Sequence, residues 1–419
     1  MSDSEPTPSA TEETPSATEE TPSATEDTPS AAEGTPSTAE EVNHKTEQAD
    51  QTKGVDESNG QTGQTTAEQT EKAPEEGGVQ ETSPGPGDQV AIDAGKGAEA
   101  SAAVEPQDDS SRVVIITGAN TGIGLVASEK FAKDGFEVVM ACRSEEKANQ
   151  AVSQVQKKVP GAKVSFMKLD LNSLKSVREF SDAFHATGKP LHALCNNAGL
   201  TTGFSSNDRL ETEDGFEMTF GVNHLGHFLL THLLMDVLKE TSEACGEARI
   251  VNTASMLHDP AKSARMGGSP PHLDFDDLML EKSEPFDGLL AYRNSKLANC
   301  AFSVELARRL EGSKVTSNTL CPGFIPATGL GRNETTMAKI KMAIFTPLLK
   351  LIGVTRNLEH GGGMIHYVAT SPDFKGLSGK HSSDFKMMDS SAESRDPEVG
   401  KRLWDISADL VQYEAAKTM

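Results

Sequence analysis

The first 110 residues contain no phenylalanine, tyrosine or tryptophan. A segment without large aromatic side chains buries too little apolar surface to offset the entropy of ordering its backbone, so no globular domain is expected there. Bases are scarce as well: the same stretch has 26 Asp and Glu against four lysines, Lys45, Lys53, Lys72 and Lys96. The rest of the chain carries 37 acids and 35 bases, so the net charge of -24 belongs almost wholly to the tail. Neither part offers the basic surface that a phosphate backbone requires, which argues against nucleic acid as a ligand. No apolar run reaches the roughly 18 residues of a membrane span. The acidic start has neither a hydrophobic signal core nor the basic character of a transit peptide, and a cytoplasmic location is expected. The five cysteines (Cys142, Cys195, Cys245, Cys300 and Cys321) are scattered with no CxxC pair. They make neither a metal site nor a disulfide framework, in keeping with a reducing compartment.

What the tail does contain is a seven-residue repeat, TPSATEE, TPSATEE, TPSATED, TPSAAEG, TPSTAEE, from Thr7 to Glu41. Each copy carries a proline and none has paired large apolar residues, so the period is not that of a coiled coil. Residues 1–110 are expected to be a disordered acidic low-complexity tail, acting as a solubilising spacer or as a docking segment for an unknown partner.

The texture changes at residue 111. RVVIIT is a β-branched run apolar on both faces, as a buried parallel strand should be. GLVASEKFAKDG has helical periodicity and closes on Gly135. FEVVMA, KVSFMKLDL and LHALCN follow as strands, with helices SEEKANQAVSQVQKK and NSLKSVREFSDAFHA between them, the latter expected to open on an asparagine cap. A long helix across Phe216 to Lys239, the strand ARIVNTA, a helix from Tyr292 to Leu310 and the strand KVTSNTL complete the series. Alternation of this kind predicts an α/β fold, a Rossmann-like doubly wound parallel sheet, in one domain over residues 111–419.

The turn after the first strand, TGANTGIG, places Gly118, Gly122 and Gly124 around Asn120, Thr121 and Ile123. Glycine there lets the backbone approach a pyrophosphate and aims a helix N-terminus at it. The second strand ends MACRS. Arg143 stands where an NAD site would place a carboxylate, and a guanidinium suits the 2′-phosphate of NADP(H). Asp170 and Leu171, in LDL, lie where an adenine would rest, and Asn197, Ala198 and Gly199, in NNAG, form a second close-approach turn.

In AYRNSKLAN, Tyr292 and Lys296 are four apart, on one face of a helix. A cation beside a phenol favours the phenolate, so the pair is expected to lower the tyrosine pKa and to make an acid/base catalyst, the lysine also bonding the nicotinamide ribose. Ser255, at the end of RIVNTAS, can donate to a substrate oxygen. Asn223, in VNHLGH, can hold a helix carbonyl and a water leading to Lys296.

Taken together, TGANTGIG, NNAG, NHLGHFLL, NTAS, YRNSK and CPG resemble the signature of the short-chain dehydrogenase/reductases over essentially all of residues 111–419. The resemblance implies a sheet in the order 3-2-1-4-5-6-7, NADP(H)-dependent hydride transfer and the catalytic tetrad Asn223, Ser255, Tyr292 and Lys296. It also sets Pro322 and Gly323 beside the nicotinamide. Two branches are similar. NHLGHFLLTHLL, SMLH and SKLANCAFSVELARRL resemble retinol dehydrogenases; VVMACR, NHLGHFLL, CPGFIPATGLGR and GKRLWDISADLV resemble light-dependent protochlorophyllide reductases. The C-terminal third favours the second branch, from which Phe324 and Ala298 depart by replacing cysteines. Either branch implies a bulky apolar carbonyl, alcohol or olefin as substrate, held under the insert between Ser255 and Tyr292. The basic amphipathic stretch TTMAKIKMAIFTPLLKLIG is expected to cover that ligand or to touch a membrane. A homo-oligomer is left open, and the alternative of another class is a non-catalytic nucleotide-sensing scaffold.

Overall fold

The computed structural model describes residues 112–418. The repeat tail, with the disorder expected of it, lies outside the described residues. Eight strands are found among them: β1 (Val113–Thr117), β2 (Glu137–Cys142), β3 (Val164–Lys168), β4 (Ala193–Asn196), β5 (Ala248–Thr253), β6 (Val315–Cys321), β7 (His381–Ser383) and β8 (Lys386–Met388). The helices of the first half are α1 (Gly122–Lys133), α2 (Glu145–Lys158), α3 (Leu174–His185), α4 (Met218–Phe220), α5 (Gly226–Leu233) and α6 (Met235–Cys245). Those of the second half are α7 (Pro260–Ser263), α8 (Gly288–Arg309), α9 (Thr336–Leu351), α10 (Leu358–Thr370), α11 (Ala392–Arg395) and α12 (Pro397–Leu410).

The strands form one sheet in the order β3-β2-β1-β4-β5-β6-β7-β8. All neighbours are parallel except β7 and β8, which pair antiparallel. The expected order is therefore observed, extended by one strand at the β7 edge.

Strand β1 shows how the two cores arise. Side chains alternate across a sheet, so Val113 and Ile115 join Phe180, Phe228, Leu297 and Trp404 on one face. Val114 and Ile116 join Phe131, Val155 and Met364 on the other. Both faces are covered, hence the uniformly apolar strand. Trp404 is core: its indole N–H donates to Ala416 O at 2.9 Å, and the Arg309 guanidinium lies 4.2 Å from its ring centroid.

On the second face α10 lies against α1 through glycine. A Cβ on Gly362 would stand 2.6 Å from Val126 Cβ and 2.9 Å from the Ala127 nitrogen, so the two helices meet backbone to side chain.

Two local expectations are corrected, and one feature left no trace in the sequence. The helix expected across Phe216 to Lys239 is α4, a π-helical turn at Gly221–Leu225, α5 and α6, interrupted at Leu234. The cap of α3 is Ser173 rather than Asn172, with no side-chain capping bond, and the Leu174 N–H donates to Asp214 Oδ2 at 2.8 Å. Finally, β7 and β8 are three residues each, too short to leave a periodic pattern in the sequence.

Candidate active site

In a sheet of this order the progression of strands switches side between β1 and β4, and folds of this kind bind ligands in the crevice outside the strands' C-terminal ends at that point. Every site residue expected from the sequence lies on a segment leaving those ends or on the helices packed behind them.

The glycine turn leaves β1 with Gly118 and Gly122 at positive φ, 65° and 61°. A Cβ on Gly124 would stand 2.6 Å from Gly118 O and 2.7 Å from Asn197 Nδ2, so only glycine fits. Helix α1 starts at an N-cap, Thr121, that makes no side-chain capping bond, and its first turn carries no acid. Its N–H donors are thus aimed at the crevice, where a phosphate would satisfy them. Asn120 is half-buried, and Ile123 packs against Gly361 of α10.

The two loops bordering the crevice are tied together by Thr117. Its hydroxyl accepts from the Asn197 and Ala198 N–H groups at 2.9 and 2.8 Å. Asn197 Nδ2 donates to Thr117 O at 2.8 Å. Asn197 Oδ1 is buried without a protein partner among the described residues, as is Thr253 Oγ1. Unsatisfied buried acceptors and donors beside a glycine cradle fit a polar ligand here.

At the ends of β2 and β3, Arg143 Nε lies 3.9 Å from Asp170 Oδ2, with the guanidinium largely exposed. Lys168 Nζ donates to Arg143 O at 2.6 Å, adding a second cation that sequence reading did not single out. Asp170 Oδ1 accepts from the Asn172 N–H at 3.1 Å, which fixes the turn. Leu171 is core, its carbonyl and side chain set against Gly226.

The tetrad converges from three elements. Asn223 lies in the π-helical turn, where the wider winding sets its side chain toward the β4 loop. Its Oδ1 accepts from the Leu200 N–H at 2.9 Å; its Nδ2 donates to Leu200 O and Ser295 Oγ, each at 3.0 Å. Ser255 follows β5 and caps a short 3-10 turn, its hydroxyl accepting from the Leu257 N–H at 3.2 Å. Tyr292 and Lys296 lie on α8, both buried, with Lys296 Nζ 5.6 Å from the phenol ring centroid. A Cβ on Gly199 would stand 3.4 Å from both Asn223 Oδ1 and Lys296 Nζ, so the β4 loop, the π turn and α8 meet at that glycine. Pro322 and Gly323 leave β6 directly after Cys321, whose thiol accepts from the Met256 N–H at 3.1 Å, next to Ser255. Gly323 has φ 83° and packs on Arg356.

The electrostatics of the pair differ from expectation. Burial pushes the Tyr292 phenol well above its ordinary pKa; Cys321 adds to this, and a hydrogen bond with the Ser255 side chain opposes it. Burial also pushes Lys296 down to about 8. The ammonium donates to Thr253 O at 3.0 Å rather than to the phenol, so the lowering of the tyrosine pKa by its neighbour is overturned by desolvation.

Further residues hold the site without announcing themselves in sequence. His227 is fully buried and neutral, pushed down to about 4 by burial. Its Nδ1 lies 3.0 Å from Asn223 O and its Nε2 2.9 Å from Thr117 Oγ1. A neutral imidazole donates through one nitrogen and accepts through the other. Because Asn223 O only accepts, Nδ1 is the donor and the Thr117 proton goes to Nε2. Arg293, fully buried, donates to Ser269 O, Gly267 O and Ser263 O at 2.6, 2.7 and 3.2 Å. Asn294 Oδ1 accepts from the His272 N–H at 3.0 Å. The insert after Ser255 is thus hung from the residues next to Tyr292. Phe204 meets Tyr292 edge to face at 5.3 Å and gives the reacting end an apolar wall. A separate depression of about 640 Å³ over α1, α10 and Phe385 contains none of these residues.

A glycine-cradled helix N-terminus beside a serine and a buried Tyr-Lys pair is the arrangement of a dinucleotide-dependent oxidoreductase of the Rossmann type. The sequence model of the short chain dehydrogenase family matches residues 112–264. Retinol dehydrogenase 12 of Mus musculus is 38% identical over 305 residues, 72% of this chain and 88% of that one. Retinol dehydrogenase 11 of Homo sapiens is 39% identical over 300 residues, 72% and 86% of the two chains. The WW domain-containing oxidoreductase of Gallus gallus is 37% identical over 319 residues, 76% and 72%. Among solved structures, an uncharacterized protein from Mycobacterium Paratuberculosis superposes with a TM-score of 0.54 at 28% identity, covering 72% of this chain and 94% of its own. The chain belongs to the short-chain dehydrogenase/reductase family, and it is similar to that family's retinol dehydrogenases.

Proposed function

We propose that the protein is an NADP(H)-dependent oxidoreductase that interconverts a bulky lipophilic carbonyl and its alcohol, with Tyr292 as the proton carrier. The observation that carries this reading is the meeting of Asn223 and Lys296 at Gly199, with the Lys296 ammonium 5.6 Å from the ring of Tyr292, whose phenol hydrogen-bonds the Ser255 side chain. NADP(H), when bound, supplies or accepts the hydride. The α1 N-terminus and the loops at Gly118–Gly124 and Asn197–Gly199 would hold its pyrophosphate, and Arg143 with Lys168 would meet a 2′-phosphate. Pro322 and Gly323 would border its nicotinamide end.

The chain's own residues then divide the work. A phenol whose pKa is raised by burial keeps its proton and can donate it to a substrate oxygen. Ser255 orients that oxygen by hydrogen bonding. Lys296 holds the ribose, and Asn223 fixes the β4 loop on which the lysine rests. Phe204 and the tethered insert exclude water and select for apolar substrates.

The names of the relatives favour a retinol-type alcohol or aldehyde. The segments CPGFIPATGLGR and GKRLWDISADLV keep a protochlorophyllide-type double bond as the second reading, with Phe324 and Ala298 against it. NADPH oxidation with retinal, simple aldehydes and protochlorophyllide, in light and in darkness, separates the two. Tyr292→Phe should lower turnover by about 10²–10⁴-fold while NADPH binding, followed by its fluorescence, stays near wild type. Full turnover in that variant would refute the assignment, and a chain that binds NADPH yet reduces nothing in the panel would restore the scaffold alternative.

A further inference from the structure

Helix α9 faces the wrong way for a core element. Among the described helices of eight residues or more it alone has no buried residue. Met337, Ile340, Ile344, Leu348 and Leu351 recur at spacings of three and four and form one stripe. They are 62, 49, 67, 53 and 83% exposed, and Phe345 and Ile352 widen the stripe at 55 and 62%. The half-buried residues Ala338, Thr346 and Leu349 lie on another side, so the apolar stripe is the more exposed face of the helix. A lid over an apolar ligand would be oriented the other way.

Charge narrows what can cover this stripe. No Asp or Glu occurs between Glu334 and Glu359, whereas Lys339, Lys341 and Lys350 do, in a chain whose acids outnumber its bases 63 to 39; Arg356, beyond the helix, is paired with Asp384. Lys341 falls inside the stripe, where its stem can lie along apolar surface and its ammonium reach headgroups. The chain's own tail has the complementary charge but no aromatic residue in its first 110 positions with which to cover the stripe. A second copy meeting this face by a twofold axis would set one basic, acid-free segment against another. An anionic lipid surface satisfies both requirements, apolar depth and negative charge.

We propose that α9 docks the protein on anionic membranes, its apolar stripe seated at the boundary between headgroups and acyl chains. The helix hangs from the rim of the active site: Asn333 Nδ2 donates to Thr201 O at 2.9 Å, and the Phe204 N–H donates to a Glu334 carboxylate oxygen. Docking therefore brings the Phe204 wall to the bilayer, from which a lipophilic substrate can enter. That last link rests on the proposed function; the docking does not.

The test is flotation of the full chain with phosphatidylcholine vesicles, with and without phosphatidylserine, in the absence of substrate and cofactor. The expected result is recovery with the phosphatidylserine vesicles, weakened by added salt. Ile344→Asp and Leu348→Asp should each lower the bound fraction by about tenfold, with thermal melting and NADPH oxidation of a soluble aldehyde unchanged. Failure to float with anionic vesicles, or flotation indifferent to these substitutions, would overturn the proposal. So would a dimer, seen by light scattering, that the same substitutions split, because the stripe would then belong to a second copy.

Discussion

Lys296 is a cation that burial works against, and its proton is therefore a handle on its role. The folded chain holds the proton less tightly than the unfolded one. Between about 8 and the ordinary value of 10.5 the unfolded state binds more protons, so this residue makes stability rise with pH across that window. Cofactor binding should run the opposite way. If the ammonium donates to the ribose, NADPH affinity is level below about pH 8 and weakens above it by up to about tenfold per unit. Fluorescence titration across that range checks this; Lys296→Met should be weak throughout and flat. Arg143→Ala should weaken NADPH binding by about 10–100-fold and leave NADH nearly unaffected, which parallel titrations would show. The positions of these side chains were readable because helical spacing puts Tyr292 and Lys296 on one face and strand ends locate Arg143. The direction of the tyrosine shift was not readable, because desolvation depends on what the fold packs around α8.

At the level of elements, the π turn and the glycine turn are coupled through His227. Removing the imidazole takes one hydrogen-bond partner from the Thr117 hydroxyl and one from Asn223 O and leaves a cavity in a dry interior, so His227→Ala should cost about 2–4 kcal/mol in urea unfolding. If the wild-type midpoint survives, the coupling is unimportant. Gly362→Ala should cost about 1–3 kcal/mol by the same measurement, since its methyl meets Val126 and the Ala127 backbone. Strands β1 to β6 were legible from apolar runs and their order from the resemblance. The interruptions at Gly221–Leu225 and Leu234 were not, because an apolar helical pattern continues through both and only tertiary packing selects the wider winding. Nor could sequence show that the stripe of α9 points outward, since amphipathic spacing fixes a face without saying what that face meets.

For the whole molecule, the sharp change in composition at residue 111 predicts that the tail contributes nothing to the folded core. A chain lacking residues 1–110 should melt at the same temperature and keep its turnover, while its retention on an anion exchanger falls with the loss of nearly all net charge. A lowered melting point would place part of the core upstream of that boundary. The thiols offer a different use of the fold. Cys142, Cys195, Cys300 and Cys321 are buried and Cys245, at the end of α6, is exposed. One maleimide dye should therefore attach at a single known point under native conditions, giving an optical reporter on the wild-type chain with no engineered handle.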